Sequence, residues 1–337
     1  MNHQEFARRL AKNDLPSVLF FEGPEEYLKQ SALQDLRKAL LPEGLEELNE
    51  TRLTAPETDA LIAAAETLPF MADRRLVLLR DYPAITGRGE ADEKLLEYLP
   101  HAPASSVILF YNVLPVKQRK IRNIAEKMGG LVKFEPLSGA ALTSFVTDAF
   151  HNLGRECDAR TADFLIFTSG SDTNQLMSEI AKIAAYHPEE PKVNPEDVKA
   201  LATPSMESKV FSLVDAILAG QDAAAFSQLR NLLRNGESRI MVLSMITRQF
   251  RLMQHVKIMQ YEKLSQKEMP AALGMSPYIT QQYVRQASSY TARQVKEAVR
   301  LCLDTDLAIK SGVLREEGAV EAVMLRLLML RKKPEPA

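Results

Sequence analysis

Four apolar runs alternate with helical stretches over the first 134 residues, and then such runs stop. They are Val18-Leu19-Phe20-Phe21, Leu76-Val77-Leu78-Leu79, Val107-Ile108-Leu109-Phe110-Tyr111 and Leu131-Val132-Lys133-Phe134. Each has strand length, and an unbroken apolar run is what a strand covered on both faces requires. Strands separated by helices argue for a mostly parallel sheet. From Ser138 onward the periodicity is helical. The chain reads as α/β in front and all-α behind.

A length of 337 residues predicts two or three domains, with ample core. Hydrophobic residues make up 46% and charged residues 26%, as in ordinary soluble globular proteins. No secretory leader and no run of about 18 apolar residues is present, so a cytoplasmic location is expected, with no membrane partner. Cys157 and Cys302 are too few and too far apart for a disulfide framework or a metal knuckle, and the five histidines share no ligand spacing. No metal and no cofactor is expected. The charge is uneven: residues 208–337 carry 19 Lys/Arg against 12 Asp/Glu, a net of +7, and the preceding part carries −9. An acidic front with a basic rear suits oriented assembly or a face turned toward nucleic acid.

The first strand runs into a tight turn, Glu22-Gly23-Pro24-Glu25-Glu26, and then a helix. A phosphate-binding loop at this place needs several glycines, so that backbone N–H groups close on phosphate, and a lysine to neutralise it. Gly23 stands alone, Pro24 removes a donor, and two carboxylates repel phosphate. Phe110, Tyr111 and Asn112 end the third strand without the acid that would support Mg²⁺. The place fits an ATPase and the chemistry is missing.

Between a helix begun at Thr54-Ala55-Pro56 and the strand from Leu76 lies Leu68-Pro69-Phe70-Met71-Ala72-Asp73-Arg74-Arg75. Pro69 disfavours helical geometry at Leu68, so the helix stops there and three large apolar residues stand at a loop tip. Two readings are open. The knuckle tucks under the helix as a staple covering the sheet edge, or it is an exposed plug for a hydrophobic cleft, framed by Arg74 and Arg75.

Behind Ser138, helices are predicted over 138–153, 159–169, 172–184 and 195–201, with a connecting loop at 187–192 and a linker at Thr203-Pro204-Ser205. Further helices follow over 211–219, 223–234, 239–262, 291–310 and 321–330, before a charged, proline-containing tail. On the long helix, Ile240, Leu243, Ile246, Phe250 and Met253 form one stripe, and Arg248, Arg251 and His255 the opposite, basic face. That face is a solvated surface or a nucleic-acid contact. Residues 266–284 have the outline of a helix-turn-helix, with Thr280, Gln281 and Gln282 placed to read base edges. Asp304 and Asp306 point to different sides of their helix and do not pair. No nucleophile–base arrangement stands out.

In order and spacing, several segments resemble the delta subunit of the bacterial DNA polymerase III clamp loader. They are Leu19 to Leu28, Leu68 to Arg75, Asp172 to Ile183, Asp215 to Gly220, Gln249-Phe250-Arg251-Leu252 and Asp306 to Gly312. The resemblance implies an AAA+-like α/β domain over 1–138 without a functional phosphate loop, a small helical lid over 139–204 and a helical collar over 208–334. It implies that Leu68, Phe70 and Met71, with Arg74 beside them, plug the cleft of the sliding clamp (the beta subunit). The family's partners would be gamma/tau and delta-prime subunits and, through the assembled complex, primer–template DNA, near which Arg248 and Arg251 would lie. No intrinsic catalysis is expected, although the whole assembly is a DNA-directed DNA polymerase, a nucleotidyltransferase. A helix-turn-helix regulator and an active AAA+ ATPase are the alternatives.

Overall fold

The computed structural model describes residues 1–186 and 189–331; His187, Pro188 and the tail 332–337 lie outside the described residues. The chain divides into two compact units, Met1–Pro136 and the part from Leu137 onward.

The first unit is built on five parallel strands: β1 (Val18–Glu22), β2 (Glu50–Leu53), β3 (Arg75–Arg80), β4 (Ser106–Tyr111) and β5 (Leu131–Lys133). Their order across the sheet is β2-β3-β4-β1-β5. Successive side chains point to opposite faces. Val18, Phe20, Val77, Leu79, Ile108 and Phe110 face a layer with Leu61, Ala65, Leu95 and Ile121, from helices Thr58–Glu66, Glu93–Tyr98 and Lys120–Lys127. Leu19, Phe21, Leu76, Leu78, Leu109 and Tyr111 face Phe6, Leu33 and Leu36, from His3–Ala11 and Glu26–Leu40. With both faces covered, the runs of β1, β3 and β4 could be read as strands, and so could the shorter run of the edge strand β5. β2 could not: it is a short edge strand, Glu-Thr-Arg-Leu, only half buried. The helix expected from Thr54 starts at Thr58, because Ala55 turns the chain with φ +49° and Glu57 is extended.

Two carboxyls tie helix Glu26–Leu40 to this sheet. Glu50 takes Nη2 of Arg37 at 2.7 Å and Nε of Arg52 at 2.8 Å. Glu26 takes Tyr111 Oη at 2.7 Å and Lys29 Nζ at 2.8 Å. Burial opposes ionisation of both, but these hydrogen bonds outweigh it and hold both below the ordinary 4.5. A carboxyl whose folded pKa is depressed contributes stability above its unfolded pKa and loses it as pH falls through the folded one. The denaturation midpoint of the first unit should therefore stay level down to about pH 5 and fall below it, and Glu50→Gln should flatten the fall.

The second unit is helical and has two apolar clusters. Leu142, Val146, Phe150, Leu165, Leu176, Ile180, Ile183 and Val198 join helices Gly139–Asn152, Ala159–Ser169, Thr173–Tyr186 and Pro195–Leu201. The larger cluster, with Phe211, Val214, Leu243, Ile246, Phe250, Val295, Cys302 and Met324, joins the helices from Met206 on. Asp158, Ser205, Ser238, Ser276 and Thr291 cap five helix starts with their side chains. The last helix begins at Glu316 and breaks at once, because Gly318 has φ +82°.

The expected helix-turn-helix outline does not form a base-reading module. Its first helix is only Met269–Leu273, with Pro270 in its first turn. Thr280 on Pro277–Ser288 is buried, because this helix packs on Ala159–Ser169 and Arg239–Tyr261. Gln281 is exposed and Gln282 half-buried, so the three do not form a base-reading edge. Gln249 joins the same packing from the long helix: its amide donates to Gln286 Oε1, and Gln286 Nε2 donates to Asp215 Oδ1 at 2.8 Å.

Candidate functional site

Helix Thr58–Glu66 ends as Thr67 N and Oγ1 both donate to Ala63 O, at 3.2 and 2.8 Å. The next residues swing outward: Leu68 is 77% exposed, Phe70 53% and Met71 78%. None is tucked against the helix or the sheet edge, which removes the staple geometry. Met71 has φ +50°, a costly conformation for a non-glycine residue and one that persists only where the surroundings enforce it.

Asn49, which no local sequence pattern marks, holds the residue before Met71, Phe70. Its side chain is fully buried. Oδ1 accepts from Phe70 N at 2.8 Å, and Nδ2 donates to Phe70 O at 2.9 Å and to Leu45 O at 3.1 Å. The amide thus mimics a strand partner and holds the backbone of the loop tip, while the Phe70 ring stays outside. Exposed apolar side chains on a fixed backbone form a pre-organised surface. Asn49→Ala should remove all three bonds, costing about 2 kcal/mol. The Phe70 amide should lose its protection in hydrogen exchange, and protection equal to wild type would refute this role.

Arg74 and Arg75 do not frame the knuckle. Arg74 Nη1 donates to Leu15 O at 2.9 Å and Nη2 to Ser106 O at 3.2 Å. Arg75 is buried, with Nη2 on Thr51 Oγ1 at 2.7 Å and Nη1 on Thr67 O at 3.3 Å. Burial lowers the pKa of both guanidiniums. Their role is to pin the return of the loop into β3.

At the other candidate place, the turn after β1, Gly23 has φ +120° and lies against Phe134. Lys29, the nearest following lysine, is buried: Nζ contacts Glu26 Oε2 and Asn112 O, each at 2.8 Å. Arg122 is bonded to Glu22 by Nε at 2.9 Å and Nη2 at 2.9 Å. Lys29 and Arg122 are thus already engaged by the protein's own oxygens, while Arg119, which lines the same cavity, is exposed. On the long helix, Arg248 is ion-paired with Glu207, whereas Arg251 and His255 are exposed.

The family model "DNA polymerase III, delta subunit" matches residues 19–131, and "DNA polymerase III delta subunit, C-terminal domain" matches residues 207–327. The chain belongs to the DNA polymerase III delta subunit family. Among delta relatives, DNA polymerase III subunit delta of Bacillus subtilis (strain 168) is 22% identical over 340 residues, covering 98% of each chain. The probable delta subunit of Aquifex aeolicus (strain VF5) is 21% identical over 238 residues, 68% of this chain and 67% of that one. The solved Bacillus subtilis DNA clamp loader delta protein has the same fold, with a TM-score of 0.55 at 21% identity over 97% of this chain and 99% of that one. Within the delta subunit match fall Asn49, the knuckle and the turn at Gly23; Arg248 and Arg251 fall within the C-terminal match. No helix among the described residues of this delta-family chain is long and apolar enough to cross a membrane.

Proposed function

We propose that this chain grips the sliding clamp, the beta subunit, through Leu68, Phe70 and Met71 and opens the ring for loading onto primed DNA during replication. The observation that carries the reading is the pairing of three exposed apolar side chains with a backbone fixed by Asn49. Little ordering entropy remains to be lost when such a surface enters a cleft. Binding acts on the ring through differential affinity: a grip that fits the open ring better than the closed one shifts the ring toward open. Arg74 acts as a positioning residue of the loop. No nucleotide is hydrolysed by this chain; ATP binding and turnover fall to neighbouring gamma/tau subunits, which with delta-prime complete the loader.

Residues 139–204 serve as the lid and 208–334 as the collar that holds the chain in the assembly. Arg251 lies toward primer–template DNA in the complex and contacts phosphate, a salt-sensitive interaction. Arg248 contributes less, since Glu207 neutralises it. Binding of the purified chain to the sliding clamp of the same organism tests the proposal. Absence of binding at micromolar concentrations would overturn it.

A further inference from the structure

The exposed apolar surface does not end with the knuckle. Leu48 is 56% exposed and directly precedes Asn49, whose amide is bonded to both backbone groups of Phe70. This bonding sets the short helix Glu46–Asn49 alongside the loop tip, with Asn49 buried and Leu48 open to solvent. The charge around this surface is acidic. Glu43, Glu46 and Glu47 are exposed beside Leu48, and Asp73 is exposed two residues after Met71. Arg75 is buried, and the guanidinium of half-buried Arg74 is bonded to Leu15 O and Ser106 O. Arg74 and the exposed Lys38 both line the groove beside Met71 and Asp73.

We propose that the contact surface is bipartite. Leu48 is a fourth apolar anchor beside Leu68, Phe70 and Met71, and the carboxylates of Glu46, Glu47 and Asp73 form a rim that selects an apolar cleft bordered by cations. The inference rests on the clamp-gripping function proposed above. Continuity with the knuckle and the one-sided charge commit it to the same partner. A like-charged cleft rim is rejected, and a basic one speeds encounter in a salt-dependent way.

The test is clamp binding by the full chain as wild type, Leu48→Ala and Glu46→Gln/Glu47→Gln, at about 50 and about 300 mM salt, where screening differs strongly. Leu153→Ala, at an exposed apolar position in the second unit, is the control. Leu48→Ala is expected to weaken binding about tenfold, with Leu153→Ala unchanged. The double glutamine variant is expected to associate more slowly and with a flatter salt dependence. Wild-type affinity for Leu48→Ala would overturn the fourth anchor, and an unaltered salt dependence would overturn the acidic rim; both outcomes leave the knuckle's role standing. If wild type itself does not bind, this inference and the clamp reading fall together.

Discussion

Replacing Leu68, Phe70 and Met71 together by alanine is expected to abolish the proposed clamp binding and to leave the fold intact. A true hot-spot side chain contributes about 2 kcal/mol or more, so losing two or three costs at least about 4 kcal/mol, close to a thousandfold in Kd. The three side chains bury little in the free chain, at 77%, 53% and 78% exposure, so no core contact is lost with them. Thermal stability should stay within about 0.5 kcal/mol of wild type, as for surface substitutions generally. The backbone bonds between Asn49 and Phe70 do not involve the substituted side chains and survive. Titration of the clamp beside a melting curve separates the possibilities. Equal affinity for a folded triple variant would move the clamp contact elsewhere on the molecule.

The parts of this fold that were legible in sequence are those whose signal is local. β1, β3 and β4 are buried on both faces and so appear as continuous apolar runs, as do Leu131 and Val132 of the edge strand β5. The helices begun at Asp172 and Thr291 announce themselves at their starts, whereas Ser205, expected in a linker, caps a helix that begins at Met206 and not at 211. β2 has a charged, half-buried sequence and leaves no such trace. The knuckle was visible as an oddity, three large apolar residues behind a helix-breaking Pro69. What holds it was not visible, because Asn49 lies 21 residues away in sequence and acts only once β2 and β3 are paired. Arg74 misled for the converse reason. A charged residue beside an apolar loop reads as a rim, and only the fold places Leu15 O and Ser106 O within reach of its guanidinium. Thr280 shows the same limit: its helix was found, but which side faces the neighbouring helices depends on the packing.

Gly23→Ala should unfold the first unit far more readily than any surface change, and nucleotide should not rescue it. In sequence this glycine sits where a phosphate loop would place one. In the structure its backbone passes so close to β5's exit that a Cβ would lie 2.2 Å from Phe134 O, at a φ of +120° that side chains rarely adopt. The neighbouring backbone is committed on both sides of the contact, since Phe134 N donates to Glu22 O at 2.8 Å and Glu25 N donates to Phe134 O at 3.2 Å. Strain at such a φ costs about 1–3 kcal/mol. With the backbone overlap added, the loss should be at least about 3 kcal/mol, a large part of a typical domain's 5–15 kcal/mol. Were the glycine kept for phosphate, nucleotide would stabilise the wild type: a ligand at a hundred times its Kd adds about 2.7 kcal/mol. The expected result is a melting point lowered by about 10 °C or more in Gly23→Ala and an unshifted wild-type melting point in millimolar Mg·ATP. An ATP-dependent rise in the wild type would revive the ATPase reading. It would also require Lys29 to leave Glu26 and Asn112 O, both 2.8 Å away, to meet phosphate. Moving that buried ammonium off its partners is costly, and this is the physical reason to expect the turn after β1 to serve the sheet and not a nucleotide.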